Sequence, residues 1–110
     1  MAGLNCGMPS PVGWPLIRLG FNAFLSVSDE ACVDAMRAYY YPLGDDHRIV
    51  SGESGAAGLA ALMELTRRSR LAEARSSLGL DSNTKVLLLN TEGDTDPESF
   101  SSLVLGLSLR

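Results

Sequence analysis

Lysine and histidine are nearly missing from this chain: among 110 residues, Lys85 and His47 stand alone. One histidine restricts nucleophilic catalysis to whatever lies beside it, and one lysine restricts amine chemistry in the same way. Cysteine is also scarce. Cys6 and Cys32 are too few for a disulfide scaffold and lack C-x-x-C spacing, which excludes a zinc knuckle or a thioredoxin-type couple and leaves free thiols as the expectation. Positive charge is in deficit too. The net charge is -4 and the sequence pI about 4.8, so there is no basic footprint for nucleic acid or an anionic membrane. No apolar run approaches the ~18 residues of a membrane span, and the opening "MAGLNCGMPSPVGWP" has no cationic stretch followed by an apolar one. A soluble, cytoplasmic protein is expected, with neither nucleic acid nor membrane as partner.

What is present is apolar content of 45%, enough for one ordinary domain or part of a larger one. The chain shows no repeat, linker or low-complexity segment. Ser10 and Pro11 read as the start of a short helix ending near Gly20. "FNAFLSV" alternates Phe21, Ala23, Leu25 and Val27 against Asn22 and Ser26, the period of a strand. Ser28 caps a helix with Asp29 and Glu30 in its first turn, which stops before Pro42. "RIVS" reads as a strand, Gly55 to about Arg68 as a helix, Leu71 to Leu78 as another, with Gly79 closing it. "KVLLLN" reads as a strand covered on both faces, and Asp96-Pro97 opens a last helix. The expected fold is therefore α/β: a partial open, largely parallel sheet with flanking helices.

Three chemistries compete, two at "VSGESGAAGLAAL" and one at "TEGDTDPE". A hydrolase elbow needs G-x-S-x-G, and Gly52-Glu53-Ser54-Gly55-Ala56 has alanine at the last position, with His47 preceding the serine rather than following it. A phosphate cradle at the start of the Gly55 helix has suitable backbone amides, but Glu53 puts a negative charge in the turn. A calcium loop at Glu92, Asp94 and Asp96 fails at Pro97 and Leu103, where glycine and glutamate belong. Asp96 reads more simply as a helix cap. No metal site is expected.

The stretches "MAGLNCGMPSPVGWPLI", "AMR", "VSGESGAAGLAALMEL" and "VLLLNTEGDTDPE", in this order and spacing, resemble the C-terminal part of the diaminopropionate ammonia-lyases. These are pyridoxal-phosphate enzymes of the fold group of threonine dehydratase and the tryptophan synthase β-subunit. The resemblance covers residues 1–100, taken as the C-terminal part of a lyase domain, and leaves 101–110 as a divergent tail. It implies that Gly3 lines the cofactor and substrate pocket, that Glu53 and Ser54 lie beside the pyridine ring, and that Thr91 hydrogen-bonds the pyridine nitrogen. It also implies pyridoxal 5'-phosphate as cofactor, a small amino acid as substrate, and a homo-oligomer in the complete enzyme. The reaction would be β-elimination of 2,3-diaminopropionate to pyruvate and ammonia.

The family's Schiff-base lysine and phosphate loop match nothing here. Lys85 begins a run whose far end is Thr91, roughly 20 Å away at about 3.3 Å per extended residue. No catalytic residue is therefore assigned, and the chain alone is expected to be inactive. The alternative is a non-catalytic remnant or a fragment that binds a partner.

Overall fold

The computed structural model describes residue 5 and residues 7–106. Gly3, Cys6 and the end of the tail lie outside the described residues. Five α-helices follow in order: α1 (Gly13–Gly20), α2 (Asp29–Tyr40), α3 (Glu53–Arg67), α4 (Ala72–Ser77) and α5 (Pro97–Leu105), with a 3-10 turn at Ser69–Leu71 before α4.

The helix starts follow local chemistry. Ser28 Oγ accepts from Ala31 N at 3.2 Å, which satisfies one of the amides that the first turn of α2 leaves without a partner. Asp96 does the same for α5, accepting from Ser99 N at 3.0 Å ahead of Pro97, which has no amide to satisfy. At α1 the serine acts one turn early: Ser10 Oγ accepts from Gly13 N at 3.1 Å, and the helix begins at Gly13 rather than Pro11.

The core sits where α2, α3 and α5 meet. Cys32, Ala35 and Met36 of α2 pack on Ala56 and Ala60 of α3 and on Phe100 and Val104 of α5. Small side chains on the facing surfaces of α2 and α3 let the helices approach closely, and Met36 fills the gap toward α5. Tyr40 meets Phe100 edge-on at 5.6 Å, with the Arg48 guanidinium 4.4 Å from the Tyr40 centroid. Cys32 is a free buried thiol, and burial, with Asp29 and Glu53 adding to it, pushes its pKa up.

The expected sheet does not form. Among the described residues there is no strand, so the partial, largely parallel sheet inferred from alternation is overturned. A strand needs a ladder of backbone hydrogen bonds. The runs 50–52 and 90–92 lie side by side but share one backbone bond, Gly52 N to Glu92 O at 3.0 Å, the rest of their connection coming from side chains. Residues 21–27 fare no better as a strand: Phe21 stacks on Phe24 at 5.9 Å, and Phe24 meets Trp14 of α1 at 6.3 Å, so the aromatics gather by proximity rather than alternate.

Candidate functional site

Two turns are fastened to each other at the start of α3. The helix begins after Gly52, which has no side chain to cap it. The cap comes instead from Glu92, whose Oε2 accepts from Ser54 N at 2.7 Å while Oε1 accepts from the Thr95 hydroxyl at 3.0 Å. One carboxylate thus closes its own turn and neutralises the positive end of the α3 dipole. The Ser54 amide bond, with further help from the Thr95 hydroxyl, holds the Glu92 carboxyl below its ordinary value, against a smaller opposing effect of burial.

Asn90 supplies the second fastening. Its Oδ1 accepts from the buried Ser51 hydroxyl at 3.0 Å, and its Nδ2 donates to Val50 O at 3.4 Å. The approach is so close that glycine is required on the α3 side. A Cβ at Gly55 would run into Asn90 Oδ1 and lie 2.8 Å from Ser51 Oγ and 2.9 Å from Glu92 O; one at Gly52 would meet Gly93 O and the Glu92 side chain. The glycines of "GESG" make room for the side chains and carbonyls of the 90–93 turn.

Side chains alternate along an extended backbone. Asn90 and Glu92 both turn toward the α3 start, so Thr91 between them is left on the other side, where it is exposed and makes no hydrogen bond among the described residues. Its hydroxyl is free, on a backbone pinned at both neighbours. Glu53 and Ser54 are half-buried, and Glu53 lines a small cavity of 60 Å³ with Met36, Gly52, Glu92, Thr95 and Phe100. The structure brings Glu53 and Ser54 to the Glu92 carboxylate and sets Thr91 one residue away on the opposite side of that run. Gly3 is outside the described residues.

The competing chemistries can now be weighed. Ser54 has no histidine beside it: His47 lies in an exposed loop and lines a separate concavity of 560 Å³ with Tyr39, Tyr41 and Arg67. The α3 start is not open to a phosphate, since Glu92 occupies it. Asp96 is engaged as a cap and Glu92 as a clamp, so the acidic run has structural work. Among the described residues no cluster of three or more His, Cys, Asp or Glu side chains has the geometry to hold a metal ion. No helix among them is long and apolar enough to cross a membrane.

Sequence reasoning missed Asn90 and Glu92 as positioning groups. The available signal was the glycine at the α3 cap position, which leaves an amide in need of an acceptor from elsewhere. Lys85 is exposed, at the far end of the 85–90 run from Thr91.

No protein-family model matches the chain. It is 39% identical over 104 residues to diaminopropionate ammonia-lyase of Escherichia coli strain K12, and 40% identical over 105 residues to the Salmonella typhimurium LT2 enzyme of that name. Each match covers 94% of this chain and 26% of the relative. The chain therefore spans about a quarter of the length of the relatives it matches. Solved structures agree: the E. coli lyase in complex with D-serine superposes with a TM-score of 0.87, and its complex with an aminoacrylate-PLP azomethine reaction intermediate with 0.88, each covering 96% of this chain at 39% identity. They cover 27% and 28% of those chains. The chain resembles one part of diaminopropionate ammonia-lyase, in sequence and in fold.

Proposed function

We propose that this chain is the part of a pyridoxal-phosphate-dependent ammonia-lyase that receives the pyridine ring of the cofactor, with no turnover of its own. The single observation that carries the reading is Thr91: an exposed, uncommitted hydroxyl on a backbone fixed by Asn90 and Glu92 at either side. A group built in this way can hold a ring nitrogen at one position. The cofactor, when bound, supplies the electron-withdrawing ring that eases removal of a proton next to the amino group.

The residues present fit the ring better than the phosphate. Thr91 can donate its hydroxyl proton to a ring nitrogen and, being neutral, does not keep that nitrogen protonated as a carboxylate would. This suits a β-elimination that releases ammonia with little demand for a full electron sink. The Glu92 carboxylate at the α3 start repels a phosphate there, so phosphate contacts belong to polypeptide outside this chain. Glu53 and Ser54 shape the adjoining wall. Lys85, exposed and remote, is not the amine that carries the cofactor. The substrate is a small diamino acid, 2,3-diaminopropionate, with pyruvate and ammonia as products, and the setting is cytoplasmic, in a homo-oligomeric enzyme.

The test replaces Thr91 with valine in a full-length lyase carrying this segment. Valine nearly keeps the shape but loses the hydroxyl, and a hydrogen bond worth about 0.5–1.5 kcal/mol, or more if the nitrogen is left unsatisfied, should disappear from cofactor binding. Equilibrium titration with pyridoxal phosphate measures it. Unchanged affinity and turnover would remove Thr91 from the site.

A further inference from the structure

Asn90 makes three contacts, and together they leave its amide one orientation. Its Oδ1 accepts from the Ser51 hydroxyl at 3.0 Å and from Glu92 N at 3.4 Å, while its Nδ2 donates to Val50 O at 3.4 Å. The short bond to Ser51 seats the oxygen, and the two longer ones set which way the amide faces. A backbone N–H can only donate and a backbone carbonyl can only accept, so the two ends of the side chain cannot exchange. Oδ1 also fills the space that a side chain at Gly55 would take.

The bond to Glu92 N spans Thr91. An Asn side chain that accepts from the amide two residues on closes a turn of its own, with the residue between at the corner. Thr91 is that residue. Threonine is branched at Cβ and stiff at χ1, so once its backbone is set its hydroxyl has few directions to take. Ser51 points the same way. Among the described residues it is the one polar side chain that is fully buried, at 0% exposure. Alanine would fill such a position with no polar group to satisfy; the hydroxyl has its use in Asn90 Oδ1, with Gly52 O as a second acceptor at 3.1 Å. The Glu92 carboxylate works elsewhere, on Ser54 N and Thr95, and fastens the turn to α3 without spanning Thr91.

We propose that Asn90 is the positioning residue of the cofactor site: with Ser51 behind it, it aims the Thr91 hydroxyl at the ring nitrogen, and so lets the site distinguish a pyridine ring from a carbon ring of the same shape. The proposal rests on the reading of Thr91 given above. Asn90 turns toward α3, on the opposite side of the run from Thr91, so it acts through the turn it closes and not by touching the ring.

The test compares pyridoxal phosphate with its deaza analogue, in which a C–H stands in place of the ring nitrogen. Both carry the same aldehyde and phosphate, so the ratio of their dissociation constants isolates the contact to the nitrogen. Apoenzyme of a full-length lyase carrying this segment is titrated with each. The parent should favour pyridoxal phosphate, and Thr91→Val should reduce that preference by about two- to tenfold, the loss of one hydrogen bond. Asn90→Ala should remove most of the same preference, and should remove nothing further when Thr91→Val is already present. Ser51→Ala deletes a single oxygen and keeps the other bonds of the turn; it should shift the ratio in the same direction by less, and it carries the test if Asn90→Ala does not fold. Equal weakening of both ligands by the Asn90 and Ser51 variants, with the ratio unchanged, overturns the proposal, because that is the mark of a generally loosened site. If Thr91→Val collapses the preference while Asn90→Ala and Ser51→Ala leave it intact, the proposal falls and the Thr91 reading stands. If Thr91→Val itself leaves the preference intact, both fall.

Discussion

Helices α1 and α2 are both amphipathic, and α1 has the stronger apolar asymmetry, yet α2 buries Cys32, Ala35 and Met36 while α1 buries nothing. The difference lies in what each faces. Helix α2 presents small residues to α3 and a flexible methionine to α5; α1 presents Trp14 to Phe24 and its leucines to solvent. Amphipathicity thus determines that a face seeks cover, whereas the cover itself depends on chain that can lie far away in sequence or outside the segment. The α2–α3–α5 core completes itself within 110 residues; the α1 and 85–90 faces do not.

The largest effect that would break this contrast falls in the core. Phe100 of α5 is buried against α2, where it meets Tyr40 edge-on, so Phe100→Ala should cost about 3–5 kcal/mol, measured by denaturant unfolding. The midpoint of the unfolding transition should fall to a correspondingly lower denaturant concentration. A change under 1 kcal/mol would mean that α5 is not part of the core.

Two glycines on α3 sharpen the contrast next. Alanine is the better helix former by about 1 kcal/mol, so both substitutions should help by propensity alone. At Gly58, which is exposed and would place its Cβ at an ordinary 3.5 Å from Leu88, Gly58→Ala should stabilise by about 0.5–1 kcal/mol. At Gly55 the same methyl collides with Asn90, Ser51 and the Glu92 backbone, and Gly55→Ala should destabilise by about 1–3 kcal/mol, as the fastening of the two turns requires. Opposite signs on one helix in thermal unfolding are the expected outcome. Equal signs would mean that the 90–93 turn yields freely.

These positions show what the sequence makes legible. The starts of α2 and α5 were readable because each cap lies within four residues of the amide it satisfies, Ser28 to Ala31 and Asp96 to Ser99. The three expected strands were not, since alternation at Phe21–Val27 and apolar continuity at Lys85–Asn90 report which side chains avoid water and say nothing about where the backbone finds partners. The start of α1 slipped by two residues for a smaller reason, as Ser10 bonds the amide of Gly13 with Pro11 outside the helix. At the site, "GESG" was visible as a turn. Its partner Glu92 lies 38 residues on, and no local spacing announces such a pair.

Glu92 gives an effect of intermediate size. Glu92→Gln keeps an acceptor for Ser54 N but removes the charge from the α3 start, so a loss of about 0.5–1 kcal/mol is expected at neutral pH. The sign of the pH dependence follows from the carboxyl being held below the ordinary glutamate value of 4.5. Its contribution is complete above pH 4.5 and is lost as pH falls through the lower folded value. Glu30 and Asp81 are depressed as well, by the backbone amides and neighbouring hydroxyls that they accept from, so the contribution of Glu92 is the difference between parent and variant across the acid range. Parallel curves for the two proteins would show that the Glu92 charge does not hold the α3 start.

The smallest effect on stability, and the most direct on the contrast between α1 and α2, is at Leu19. This side chain is 82% exposed on a helix that touches no other, so it removes little apolar surface from water when the chain folds. Leu19→Gln keeps a good helix former and should change the unfolding free energy by less than about 0.5 kcal/mol, as surface substitutions do. Association should respond instead, because the substitution places an amide on the exposed apolar stripe that Leu19 shares with Leu16, one turn earlier on α1. Sedimentation velocity over a range of concentrations would show a smaller assembled fraction for Leu19→Gln than for the parent at equal stability. If instead unfolding is destabilised by 2 kcal/mol or more with association unchanged, α1 belongs to the folded core, and the division between a self-completing core and an uncovered rim is wrong.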